Sequence, residues 1–144
     1  MKADIVVYDR NKQITLITEV KNKPNVSWQW AAQWRRNILA HEELPDVTFF
    51  MIALPNKFYL WKDAGNKAKV IEPSFEINAE PILKTYLQKD RKILTENGLE
   101  SVISSWLNSL LNIENNDLSI QDWGIRSGFF NAIKGGTLVN EVFL

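Results

Sequence analysis

The stretch ADIVVYDRNKQITLITEVKNK, residues 3–23, constrains the fold more than any other part of the chain. Residues 5–8 and 14–20 are β-branched and apolar, and the DRNK between them is polar turn material, so the two runs are predicted to pair as an antiparallel hairpin. Side chains alternate faces along a strand, which puts Glu19 and Lys21 on the same side. With a two- or four-residue loop within residues 9–12, Asp4 stands opposite Ile17. It is then a diagonal neighbour of Glu19, with Cβ atoms about 7–8 Å apart. A three-residue loop turns Asp4 to the other face, so everything built on this pair depends on the register.

Two carboxylates and a lysine gathered on one sheet face cost free energy unless they neutralise one another or bind something. Mg²⁺ suits them, because it accepts one or two carboxylates and keeps several waters. Such an ion lowers the pKa of a bound water and offsets charge developing on a phosphoryl group, and Lys21 is placed to orient that water or stabilise the transition state. The bland alternative is a solubilised strand end, and an E-x-K triplet by itself is weak evidence. An Asp opening the partner strand of the same hairpin makes the pattern more specific. Zinc is a poor candidate, since the chain has no cysteine and one histidine, His41.

The remaining pattern supplies flanking elements. Residues 27–40 are predicted helical, with Asn25 or Ser27 as cap, an apolar stripe of Trp28, Ala31, Ile38 and Leu39, and Gln29, Gln33 and Arg36 on another face. VTFFMIAL, residues 47–54, reads as a strand buried on both sides, and residues 57–61 as the next strand. Residues 79–88 and 99–111 look helical. Residues 121–134 suit a shorter helix broken near Gly124 or Gly128, and Gly135-Gly136 ends it before a strand over 138–143. The expected fold class is thus α/β, a mixed sheet with flanking helices. A length of 144 residues fits one domain, with 1–78 as an α/β core and 79–144 as a mainly helical extension packed on it.

At this point the chain resembles a family. Asp4, a hairpin, Glu19-Val20-Lys21, a helix and a buried strand look like the PD-(D/E)XK nuclease superfamily, with its restriction-endonuclease-like three-layer fold. Residues 3–23 are similar to the same stretch of type I restriction enzyme nuclease domains, and the resemblance covers roughly residues 3–61. It implies Asp4 and Glu19 as metal ligands, the Val20 main-chain carbonyl as a further ligand, Lys21 as the catalytic lysine, Mg²⁺ or Mn²⁺ as cofactor, and DNA phosphodiester hydrolysis. Gln33 or Gln29 on the following helix would be accessory. Apart from the resemblance, Arg36, with Arg35, is placed to grip phosphates near the metal, although helix-surface arginines are more often simply solvated or salt-bridged. In the family a helix, often bearing an acidic residue, and a strand come before the Asp strand, so the chain resembles an N-terminally abbreviated member. The alternative is a nuclease-fold module that binds nucleic acid or protein without cutting.

Charge and composition agree with a nucleic-acid partner without requiring one. The net charge is zero, yet residues 10–36 hold six basic residues against Glu19 alone. Trp30 and Trp34, four apart on the helix, suit packing or a dimer contact more than base stacking. His41 is expected to cap the helix C-terminus rather than act as a base. No apolar run suggests a membrane span and the start lacks a secretory h-region, so a soluble cytoplasmic protein is expected. The strand opened by Asp4 has no upstream partner. It should be covered by TLVNEVF returning from the C-terminus or by a second copy in a homodimer.

Overall fold

The computed structural model describes residues 1–86, 95–112 and 122–144. Its centre is a six-stranded mixed sheet, and the described residues also form five helices, an α+β arrangement. In chain order the elements are β1 (Lys2–Tyr8), β2 (Ile14–Val20), α1 (Trp28–His41), β3 (Phe49–Ala53), β4 (Lys57–Lys62), β5 (Phe75–Asn78), α2 (Glu80–Lys84), α3 (Glu96–Leu111), α4 (Asp122–Arg126), α5 (Phe129–Ile133) and β6 (Thr137–Phe143). The strands lie in the order β5-β4-β3-β2-β1-β6. All neighbours are antiparallel except β2 and β3, which run parallel because α1 carries the chain back between them.

Both faces of the sheet are covered, which is why β3 is apolar at every position. On one face α1 packs over Val6, Ile17, Phe50, Ile52, Tyr59 and Trp61. On the other, α2, α3, α4 and α5 bury Ile5, Val7, Leu16, Phe49, Met51, Phe58 and Leu60. α1 begins where expected, with the Ser27 hydroxyl accepting the Trp30 N–H at 3.3 Å. The break between α4 and α5 falls at Gly128, which adopts φ +77 where a side chain would be strained. The helix expected over 79–88 is described only as α2 followed by a turn, and its end lies outside the described residues. Strand β5 was not expected. Its alternation of Phe75 and Ile77 with Glu76 and Asn78 carries the strand signal, but four residues beside an irregular loop are too short to stand out.

The hairpin turn differs from the expected one, and the difference matters. Arg10, Asn11 and Lys12 form a three-residue loop closed by Asp9 N–H to Gln13 O at 2.7 Å, with Lys12 at φ +63. The Asp9 carboxylate accepts the N–H groups of Asn11 and Gln13 and so holds the loop tight. A three-residue loop by itself turns Asp4 away from Glu19. A β-bulge between Val7 and Tyr8 shifts the ladder by one residue, from Tyr8↔Ile14 to Val7↔Leu16. Ile17 pairs with Val6 and the ladder ends at Ile5↔Thr18, so Asp4 does not stand opposite Ile17. Asp4 and Glu19 meet beyond that end through side-chain-to-backbone hydrogen bonds rather than as a ladder pair.

The open side of β1 is covered from within the chain: β6 pairs with it from Lys2↔Phe143 to Tyr8↔Thr137. Removing β6 by ending the chain at Gly136 leaves β1 a bare apolar edge. The truncated protein is expected to aggregate or to melt more than about 10 °C lower. Size-exclusion chromatography and thermal melting check this, and a monomer with unchanged melting would show that β1 needs no cover.

Candidate metal centre

β1 and β2 stop bonding through their backbones beyond Ile5↔Thr18, and two acidic side chains take over. The Asp4 N–H donates to the Glu19 carboxylate at 3.0 Å, and the Val20 N–H donates to the Asp4 carboxylate at 2.8 Å. Each carboxylate therefore fills a ladder position on the other strand. The alternation of β1 breaks at the same place: Ala3 and Val6 both belong to the α1-side core, while Ile5 belongs to the other. On the β6 side the ladder passes from Ala3↔Val142 to Ile5↔Asn140, and Glu141, facing the gap at Asp4, adopts φ +56.

These irregularities open the end of the sheet into a cavity of ≈ 550 Å³ between α1 and α3. The sheet contributes Asp4, Glu19, Val20, Lys21 and Glu141, α3 contributes Glu96 and Glu100, and α1 contributes Trp34, Asn37, Ile38 and His41. Asp4, Glu100 and Glu141 each place a carboxylate oxygen within 4.8 Å of the others. Glu19 is 4% exposed, and burial, then a side-chain hydrogen bond and the charge of Asp4, push its carboxyl up to about 9. Glu100 is pushed up to about 7 by burial and then by the charges of Glu141 and Asp4. Three cations border the cavity: Lys21 lies 3.9 Å from Glu96 and Lys2 3.5 Å from Glu141, all about half exposed, and the largely buried Met1 ammonium lies 3.2 Å from Glu42.

Of the residues singled out in the sequence, Asp4, Glu19, Val20 and Lys21 meet at this cavity, with Lys21 just past the end of β2, where its N–H still bonds Ala53 O at 3.1 Å. Gln29, Gln33 and Arg36 do not line it. Gln33 is exposed and donates to Asn37 at 3.3 Å, as Arg36 does at 3.1 Å, so the α1 face turned to the cavity is the one carrying Trp34, Asn37 and Ile38. Arg35 is not a surface arginine but is buried on the far side of that helix. His41 lies in the last turn of α1 and lines the cavity, while Glu42 is the cap residue, its N–H bonding Ile38 O. Trp30 and Trp34 are half-buried against the α1-side core, their ring centroids 5.5 Å apart.

Glu96, Glu100 and Glu141 were missed by sequence reasoning. Glu96 and Glu100 are four apart on one helix, a spacing that puts both on one face, but this pattern is common on solvated helices. Nothing in TLVNEVF marks Glu141 as a site residue. The donor set of Asp4, Glu100 and Glu141 fits a hard divalent cation, being acidic oxygens that converge at a partly buried space. The chain matches no protein-family model, no curated protein and no solved structure. No helix among the described residues is long and apolar enough to cross a membrane.

The raised Glu19 carboxyl has a stability consequence. Between about pH 4.5 and about 9 the folded protein holds a proton that the unfolded chain has released, so metal-free stability falls as pH rises through that window. The loss is on the order of a few kcal/mol. Glu19→Gln is expected to flatten most of this slope, read from denaturant melts in chelator at pH 5.5 and 8.5. Equal slopes in the two proteins would show that Glu19 ionises freely in the fold.

Proposed function

We infer that the protein is a divalent-metal-dependent nuclease acting on DNA phosphodiesters at the Asp4–Glu19–Lys21 end of the sheet. The observation that carries this reading is the reciprocal bonding of Asp4 and Glu19 across β1 and β2, with Lys21 at the same mouth and further carboxylates within reach. The two carboxyls satisfy main-chain donors where the ladder opens, at an electrostatic cost that a bound cation would offset.

The topology supports the resemblance to the PD-(D/E)XK superfamily in a rearranged form. The helix with an acidic residue and the strand that precede the Asp strand in that family have counterparts here in α3, with Glu100, and in β6, both supplied from the C-terminal side of the chain.

Asp4, Glu100 and Glu141 would hold Mg²⁺ or Mn²⁺, with Glu19 and the Val20 carbonyl as the further ligands that the resemblance implies. The ion would supply Lewis-acid stabilisation of the phosphoryl group. Lys21 contributes a fixed positive charge beside the attacked phosphate and orients the incoming water through its ammonium donors. Glu96 holds that ammonium at the cavity mouth. Glu19 and Glu100 must lose their protons to act as ligands, so activity should rise from pH 6 to pH 9, the reverse of the stability trend.

Cleavage of plasmid and linear DNA in Mg²⁺ or Mn²⁺ is the test. Lys21→Ala is expected to lower the rate at least about 100-fold while leaving Mn²⁺ binding, followed by electron paramagnetic resonance, nearly intact. Glu19→Ala should lose both. Metal binding without cleavage by the wild type would favour a non-cutting binding module, and cleavage unchanged in both variants would trace to a contaminant.

A further inference from the structure

We propose that Arg35 forms, with the loop after β4, a binding site for a chloride-sized monovalent anion, separate from the acidic cavity. Arg35 is 1% exposed, among the most deeply buried large side chains of the protein. Its Nη2 donates to the Gly65 carbonyl at 2.9 Å, while Nε and Nη1, both buried, have no partner. The guanidinium lies between two aromatic rings, 5.7 Å from the Phe50 centroid and 5.5 Å from that of Trp61. No ion pair among the described residues joins it to a carboxylate.

A guanidinium has five N–H donors and keeps its charge in proteins. Aromatic faces attract the cation but accept none of its in-plane N–H groups in a linear hydrogen bond, and the Gly65 carbonyl serves one nitrogen. Buried charges are otherwise paired, and burial alone pushes Arg35 below its ordinary pKa with no carboxylate to oppose it. Arg35 lines a cavity of ≈ 10 Å³ walled by Ile17, Leu39, Leu44 and Val47 and closed by Gly65 and Asn66. That is room for one water-sized occupant. Phosphate, sulfate and carboxylates are too large. A water would satisfy donors without neutralising the charge, whereas a halide does both. The Asn66 amide donates to Leu44 O at 3.1 Å, which holds the loop over the cavity.

Crystals of the full chain soaked in sodium bromide and measured at the bromine absorption edge test the site. An anomalous peak is expected about 3.3 Å from Nε or Nη1. In parallel, melting is compared in sodium chloride and in sodium gluconate at equal ionic strength, gluconate being too large to enter. Chloride is expected to raise the wild-type melting temperature by about 2–4 °C more than gluconate, and to give Arg35→Met no such difference. Should Arg35→Met fail to fold, the wild-type pair of measurements still decides. A solvent peak without bromide signal overturns the proposal in favour of a bridging water. A bromide peak without a chloride-specific shift marks an adventitious ion only and overturns it equally.

Discussion

Where β1 and β2 part, backbone pairing gives way to two acidic side chains that each accept an N–H from the opposite strand. The remainder of the site depends on this exchange. It satisfies two main-chain donors that the opening of the ladder would otherwise leave bare, and it fixes two carboxyl groups close together. The cost is electrostatic: Glu19 is driven towards its protonated form, and Glu100 and Glu141 extend the same unfavourable field. A fold that tolerates such repulsion at one spot must be stable elsewhere, and the two apolar layers on either side of the sheet are what hold it.

The register of the hairpin is the product of two irregularities. A three-residue loop leads to Tyr8 against Ile14, and a bulge at Val7/Tyr8 shifts the ladder so that Ile5 meets Thr18. Bulges increase local twist and re-aim side chains, and here the bulge lies several residues from the carboxylates it positions. The loop is itself locked by Asp9, so the geometry of the acidic site is set partly at the opposite end of the hairpin.

Two arginines adjacent in sequence end in opposite circumstances. Arg36 stays near the helix surface and bonds Asn37, whereas Arg35 is drawn between Phe50 and Trp61 under the loop after β4. A helix turns about 100° per residue, so neighbours face different environments, and the face of α1 that meets the sheet happens to include a cation. The protein thus concentrates negative charge at the end of the sheet, where Lys2 and Lys21 pair with Glu141 and Glu96 at its margin, and buries a positive charge beneath α1 that no ion pair among the described residues compensates.

The sequence by itself determined the local elements and several of the residues that meet at the cavity. Alternating β-branched runs gave β1 and β2, Ser27 and the apolar spacing gave α1, the continuous apolar run gave β3, and Gly128 and Gly135-Gly136 punctuated the C-terminal elements. Asp4, Glu19 and Lys21 were legible because they share one hairpin, where strand periodicity limits the possible faces to two. Only the tertiary structure decided which face Asp4 took, because loop length and bulge position depend on packing against both layers rather than on local pattern. It also decided that Glu100 and Glu141 join Asp4, that β6 rather than a second copy covers β1, and that Arg35 is buried. Those contacts link segments far apart in the chain, and pairing over such separations is selected by the summed burial of whole faces, a quantity that no short stretch of sequence contains.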